Sequence, residues 1–321
     1  MRTKFAASKS RQWIFTIFRG RTLVLPFFML EDFLQHLQFE KRYSPHTISS
    51  YRIDLDQYRI FLMENYDGIA ITESTHPVIR SWMVSMIENG LTPRTVNRKI
   101  SSLKSFFKWA KKYRSHNSDP TNQLKLPKVS KRLPVYVEED QMTELGTANF
   151  FDDDFEGLRN RLIIELFYQT GIRCSELIHL KLGNIDTQRQ TIKVLGKRNK
   201  ERIIPVGDDV LGLMKQYLEV RPSPVDPESN TLIFLTHKGL KLYPKLVYRV
   251  VNTYLGKVSA LRKKSPHVLR HTFATHMLNR GADLNAIKEL LGHSSLAATQ
   301  VYTHNSIEKL KEIHRNAHPK G

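Results

Sequence analysis

The chain has 321 residues, 40% of them hydrophobic, which is too long for one ordinary core and enough to bury two. Its 50 lysines and arginines outnumber 31 aspartates and glutamates, and the net charge of +19 implies a polyanionic partner, nucleic acid first and a membrane surface second. The single cysteine, Cys174, excludes an internal disulfide and fits a reducing compartment, and no apolar run reaches the ~18 residues a spanning helix needs.

Residues 1–26 read as a basic extension, expected to be poorly ordered. Arg2, Lys4, Lys9, Arg11, Arg19 and Arg21 are its only charges, and no small-residue cleavage site follows the apolar stretch 22–30, which argues against a signal peptide. Translation from Met29 would place these residues upstream of the natural start.

Residues 27–115 read as a small all-α domain of four helices. Leu30, Phe33, Leu34 and Leu37 have helical spacing. Ser44-Pro45 and Thr92-Pro93 are helix starts, because proline at the first helical position gives up an N–H that has no helical partner anyway. The second helix turns Ile48, Tyr51, Leu55, Tyr58 and Leu62 inward; Ile79, Trp82, Met83 and Met86 mark the third; Val96, Ile100, Leu103 and Phe107 belong to the fourth. Another face of the fourth carries Arg94, Arg98, Ser101, Ser105, Lys108 and Lys112. Such a stripe is either a solvated face or a set of phosphate contacts. Residues 116–132, with Asn117, Asp119-Pro120, Pro127 and scattered lysines, read as a basic linker.

The second domain is expected over 133–321. A helix over about 155–169 stops at Gly171, and Arg173 stands at the start of a short helix, where N–H groups and the helix dipole favour an anion. Glu176, three residues on, can hold the Arg173 guanidinium by charge-assisted bonds. Residues 191–195 and 202–206 have strand character around the cationic turn Gly196-Lys197-Arg198-Asn199-Lys200. From the residues alone, Lys197 and Lys200 are equal candidates for a role beyond solvation. Helices near 209–220 and 243–261 and a strand at 231–235 complete the body, so the fold class is mainly α with a small β-hairpin or sheet.

The stretch 265–304 carries the reactive groups. Ser265-Pro266 opens a helix, and His267 and Arg270 lie three residues apart on it. Asp283 is the cap of the next helix, with Leu284, Ile287, Leu290 and Leu291 apolar, and Gly292 ends it in a left-handed turn. His293 falls in that turn, Ser294 or Ser295 caps another helix, and Tyr302 stands on a short helical stretch. Residues 306–313 read as a last amphipathic helix, packed on its own domain or on a neighbour. Arginine matches phosphate oxygens with a fixed fork of donors, histidine moves protons near neutrality, and a phenol attacks once a base takes its proton. The set points to attack of Tyr302 on a phosphodiester. The blander readings are a core tyrosine and a metal site built on His267, His271 and His276, which no acidic or cysteine cluster joins.

The motifs PHVLRHTFATHML and LLGHSSLAATQVYTH, with the terminal HP, resemble the catalytic end of the tyrosine recombinase (phage integrase) family, most closely the Xer-type recombinases. The resemblance covers nearly the whole chain after about Phe27. It implies an N-terminal four-helix SAM-like domain that clamps DNA through Arg94, Arg98, Lys108 and Lys112, and a C-terminal tyrosine-recombinase catalytic domain. Tyr302 would be the nucleophile, Arg173 and Arg270 the clamp on the nonbridging oxygens, His293 a further donor, His267 the base, Lys197 the acid and Glu176 the support of Arg173. No metal or nucleotide cofactor is implied. The partners implied are double-stranded DNA with a specific site, a homo- or hetero-tetramer on two such sites, and a DNA translocase as activator, in the cytoplasm at the nucleoid. Chromosome dimer resolution and recombination of a mobile element stay equally open. A type IB topoisomerase or a non-catalytic DNA-binding protein is the alternative.

Overall fold

The computed structural model describes residues 15–18, 21–24, 27–114, 118–130, 135–146, 150–196, 201–292 and 304–320. The chain divides into two units, Met1–Arg132 and Leu133–Gly321. Within the basic extension, β1 (Phe15–Phe18) and β2 (Arg21–Val24) pair antiparallel, with Phe15 opposite Val24. That departs from the expectation of a disordered segment: FTIF and RTLV are rich in the β-branched and aromatic residues that favour strands, a signal the density of positive charge obscured.

The first unit continues with α1 (Phe27–Gln35), which widens into a π-helical turn over His36–Glu40, then α2 (Pro45–Asn65), α3 (His76–Glu88) and α4 (Pro93–Tyr113). Ser44 and Thr92 cap α2 and α4, accepting from the backbone N–H of Thr47 (3.3 Å) and Thr95 (3.4 Å). Phe33, Leu55, Tyr58, Leu62, Ile79, Ile100 and Phe107 form the core between them. A buried ion pair, Asp54 with Lys99, lies against it. Asp54, 1% exposed, accepts from Ser102 Oγ (2.8 Å) and Lys99 Nζ (3.2 Å) and pairs with Arg98. A buried carboxylate is tolerated only with such partners. The described part of the linker, 118–130, contains no helix or strand. It is not loose: Leu124 joins the core of the first unit, and Asn97 Nδ2 donates to Pro127 O at 3.0 Å.

In the second unit, α5 (Glu139–Leu145) precedes α6 (Phe155–Thr170), which Asp154 caps through Gly157 N at 2.7 Å. The core gathers around α6, buried on all sides from Leu162 to Thr170. After α7 (Cys174–Ile178) comes an antiparallel sheet of β3 (Ile185–Asp186), β4 (Thr191–Leu195) and β5 (Glu201–Pro205), with Val194 opposite Arg202. Then follow α8 (Asp208–Val220), α9 (Pro227–Asn230), α10 (Pro244–Val258), α11 (Pro266–Asn279), α12 (Leu284–Leu291) and α13 (His304–Ala317).

The expected strand at 231–235 does not form. Leu232, Ile233, Phe234 and Leu235 are buried as an apolar run, but Leu232 bridges to Lys181 and Leu235 to Lys241, single contacts to different segments that build no ladder. The tail helix α13 packs on its own domain, against α11, α12 and β5. Among the described residues, no helix is long and apolar enough to cross a membrane.

Candidate active site

Two helix ends meet at the site, and arginines join them. Gly171 closes α6 at φ +57° and Gly292 closes α12 at φ +64°, left-handed positions that glycine adopts without strain. Glycine also gives room at the first: a Cβ on Gly171 would stand 2.7 Å from Leu291 and from Phe273. The last carbonyls of a helix lack helical partners and carry the negative end of its dipole, so they draw cations. Arg270, buried on α11, donates from Nη1 to Gly171 O and from Nη2 to Leu291 O (2.6 Å). Arg173, at the N-cap of α7, donates from Nη2 to Gly292 O at 3.1 Å. Arg202, reaching in from β5, donates from Nε to Leu290 O at 2.8 Å.

Glu176 lies beneath the arginines. Its Oε1 accepts from Arg173 Nη1 (2.8 Å) and Arg202 Nη1 (2.7 Å), and its Oε2 from Arg173 backbone N (2.7 Å) and Arg202 Nη2 (2.8 Å). Burial alone would push this carboxyl up. The bonds and charge of Arg202, with the bonds from Arg173, outweigh burial and hold it down to about 2. Burial also pushes the Arg270 guanidinium down to about 9, helped by Arg173 and Arg202 and opposed by Glu176. Three guanidinium groups around one carboxylate leave a surplus of positive charge, the requirement for holding a phosphodiester while its charge builds up.

His267 is exposed on α11. Partial burial, then the charges of His271, Arg270, Lys263 and Arg173, lower its pKa, which keeps the imidazole neutral and able to accept a proton. The structure thus brings Arg173, Glu176 and Arg270 together, with His267 within electrostatic reach. Lys197, its rival Lys200, His293, Tyr302 and the capping candidates Ser294 and Ser295 lie outside the described residues. The chain enters 293–303 directly from Gly292, whose carbonyl holds Arg173, and enters 197–200 from the end of β4. Of the three histidines weighed as metal ligands, His276 turns into the core, its Nδ1 3.0 Å from Tyr168 OH. Among the described residues, no group of three His, Cys, Asp or Glu side chains is placed to hold a metal.

On α4 the side chains of Arg94, Lys108 and Lys112 are exposed. Arg98 differs from the rest of its stripe, since it is paired with the buried Asp54 while half of its side chain stays exposed. Ser101 and Ser105 donate to backbone carbonyls one turn back, Asn97 O (2.8 Å) and Ser101 O (2.9 Å).

Comparison with known proteins decides the family. Residues 136–309 match the Phage integrase family, and residues 30–113 match the Phage integrase N-terminal SAM-like domain. The chain belongs to the phage integrase family. It is an enzyme of site-specific DNA recombination, and the topoisomerase and non-catalytic readings are not favoured. It is 38% identical over 316 residues to tyrosine recombinase XerC of Chlorobaculum parvum, covering 90% of this chain and 94% of that one. It is 36% identical to XerC of Pelotomaculum thermopropionicum, covering 91% and 98%. The fold is shared with an integrase of the transposon Tn1549 (TM-score 0.67, 20% identity, 88% of this chain and 98% of that one). It is shared also with XerH recombinase (TM-score 0.65, 23% identity, covering 88% and 82%).

Sequence reasoning missed Arg202. A signal for it existed: along β5, Arg202 has the parity of Ile204, so strand alternation points it toward the core, where a cation needs a partner.

Proposed function

We propose that Tyr302 opens and reseals one DNA strand at a time through a 3′-phosphotyrosyl intermediate. The observation that carries this reading is the bonding of Arg173 and Arg202 to the Glu176 carboxylate, with Arg270 near enough to feel its charge. In the forward step the Tyr302 oxygen forms a bond to the scissile phosphorus as the bond from phosphorus to the 5′ oxygen breaks. His267 takes the phenol proton, and Lys197 gives one to the departing 5′ oxygen. Arg173 and Arg270 hold the nonbridging oxygens, and His293 donates a further hydrogen bond. The lowered pKa of His267 supports its part, because a neutral imidazole is the form that acts as base. Rejoining is the reverse attack, by the 5′ hydroxyl of the exchanged strand. The phosphotyrosine conserves the energy of the broken bond, so the cycle calls for no nucleotide or metal cofactor.

The substrate is double-stranded DNA with a specific recombination site, gripped on one side by α4 through Arg94, Arg98, Lys108 and Lys112. Four protomers, all of this chain or shared with a second recombinase, assemble on two sites, and a DNA translocase is the class of activator to test. The reading places the protein in the cytoplasm at the nucleoid, with chromosome dimer resolution and mobile-element exchange as the two services open to it. Sequencing DNA covalently trapped on the protein in its native cells identifies the site and decides between them.

The direct test is Tyr302→Phe on a nicked suicide substrate. Only the attacking oxygen is lost and the cationic clamp stays, so covalent complexes should disappear while DNA affinity is retained. Phosphotyrosyl complexes persisting in that variant would overturn the assignment.

A further inference from the structure

We infer that Arg202 is a positioning residue of this site, sharing Glu176 so that Arg173 is oriented toward a phosphate without being neutralised. The inference rests on the proposed role of Arg173. A carboxylate has about four acceptor directions, and those of Glu176 are all taken, two by Arg173 and two by Arg202. The sharing is unequal. Arg202 grips both oxygens with both terminal nitrogens, at 2.7 and 2.8 Å, the strong fork-to-fork arrangement. The Arg173 guanidinium makes one bond to the carboxylate, through Nη1, and sends Nη2 to Gly292 O.

A plain Arg173–Glu176 pair would be neutral and a poor host for a phosphate. Shared between two guanidiniums, the same carboxylate fixes the Arg173 side chain and leaves the pair of arginines cationic. Arg202 itself is 3% exposed, so it acts through Glu176 and not on substrate.

Arg202 also ties two pieces of the site together. Its Nε bond to Leu290 O fastens β5, the strand that follows Lys197 in the sequence, to the end of α12, the helix that precedes His293 in the sequence. The fit there is close: a Cβ on Gly292 would lie 3.0 Å from Arg202 Cδ. The charged groups that bear on Glu176 are Arg173 beside it, Arg202 from β5 and Arg270 from α11.

The test uses Arg202→Met and Arg202→Lys in the full chain, with melting curves to confirm folding. Covalent-complex formation on the suicide substrate is followed from pH 5 to 9, beside DNA affinity. Arg202→Met should slow the reaction about 10- to 100-fold, the usual loss when a supporting partner is removed, with affinity little changed. Its rate should also gain an acid limb between about pH 5 and 7, because losing the two Arg202 bonds raises the buried Glu176 carboxyl that Arg173 alone then holds. Arg202→Lys restores the charge without the fork, so it should recover part of the rate and keep a weaker acid limb. Should the Met variant not fold, the limb in Arg202→Lys carries the test. A folded variant with the parent's rate and pH profile overturns the inference. So does a slow variant whose pH profile is unchanged, which would make Arg202 a brace only. If the parent protein itself forms no Tyr302-dependent complex, it is the proposed function that fails.

Discussion

Arg270 shows how a residue is kept charged where water is scarce. Burial and two neighbouring arginines depress its pKa to about 9, yet at neutral pH it still carries its proton. What holds it is the pair of carbonyls at the ends of α6 and α12, acceptors that no helical N–H can satisfy. Placing a guanidinium there is a local solution to two unmet needs, the buried cation's and the carbonyls'. The acid is chosen at the same scale. Lys197 and Lys200 stand three residues apart in the sequence between β4 and β5, and charge alone does not separate them. If Lys197 is the acid, Lys197→Ala should slow cleavage of a normal substrate about 100-fold or more, the range of a lost proton donor. A bridging 5′-phosphorothiolate substrate should restore the rate, since a thiolate leaves without a proton. Lys200→Ala should lower affinity with little rescue. Sulfur rescue of Lys200→Ala and not of Lys197→Ala would show that the other lysine is the acid.

Elements differ in how plainly they were written in the sequence, and the reason is how many of their faces are buried. Helices α2 and α4 carry a cap, a proline and one apolar stripe, and all three signals are local. The buried Leu232–Leu235 run was misread because a short apolar stretch looks alike as a strand and as an irregular core segment. Arg173, Glu176 and Arg270 stood out in the sequence as candidates, but their meeting depends on α6 and α12 ending side by side, which no local pattern encodes. Helix α13 was legible as amphipathic, and its docking brings a testable pH dependence. His314 donates from Nε2 to Gln169 O (2.8 Å) and His318 from Nε2 to Tyr168 O (3.1 Å), while His318 Nδ1 accepts from Lys320 N (3.0 Å). Burial lowers both pKa values. For His314 the Gln169 bond and Asp209 oppose it; for His318 the charges of His314, His276 and Lys320 add to it, against the Tyr168 bond. Folded-state values below the unfolded one mean that the unfolded chain binds more protons. This part of the stability is therefore complete above about pH 6.5 and is lost as pH falls below it, at about 1.4 kcal/mol per unit of depression. Hydrogen exchange should show α13 amides losing protection between pH 7.5 and 5. A His314→Gln/His318→Gln variant should start weaker and change less. Equal protection of α13 in the parent protein at both pH values would refute the account.

For the whole molecule, the surplus of 50 basic over 31 acidic residues carries the broadest claim: most of the affinity for DNA is electrostatic. Every phosphate that a lysine or arginine neutralises releases about 0.9 of a counterion. Log affinity against log salt should therefore be a line of steep negative slope, and affinity should fall by orders of magnitude between roughly 50 and 200 mM salt. Arg94, Lys108 and Lys112 are exposed on α4, so replacing all three by alanine should flatten the slope by about 3, close to 0.9 for each lost contact. Arg98 should behave differently, because half of its side chain is open but its guanidinium also serves Asp54. Arg98→Ala should flatten the slope by about 1 and also lower the melting temperature of the first unit, since a buried carboxylate loses one of its cations. Titrations at four or five salt concentrations, with a melting curve for each variant, separate the two kinds of arginine. A parent slope near zero, or a triple variant with the parent's slope, would mean that the α4 stripe is a solvated face and that the DNA grip lies elsewhere.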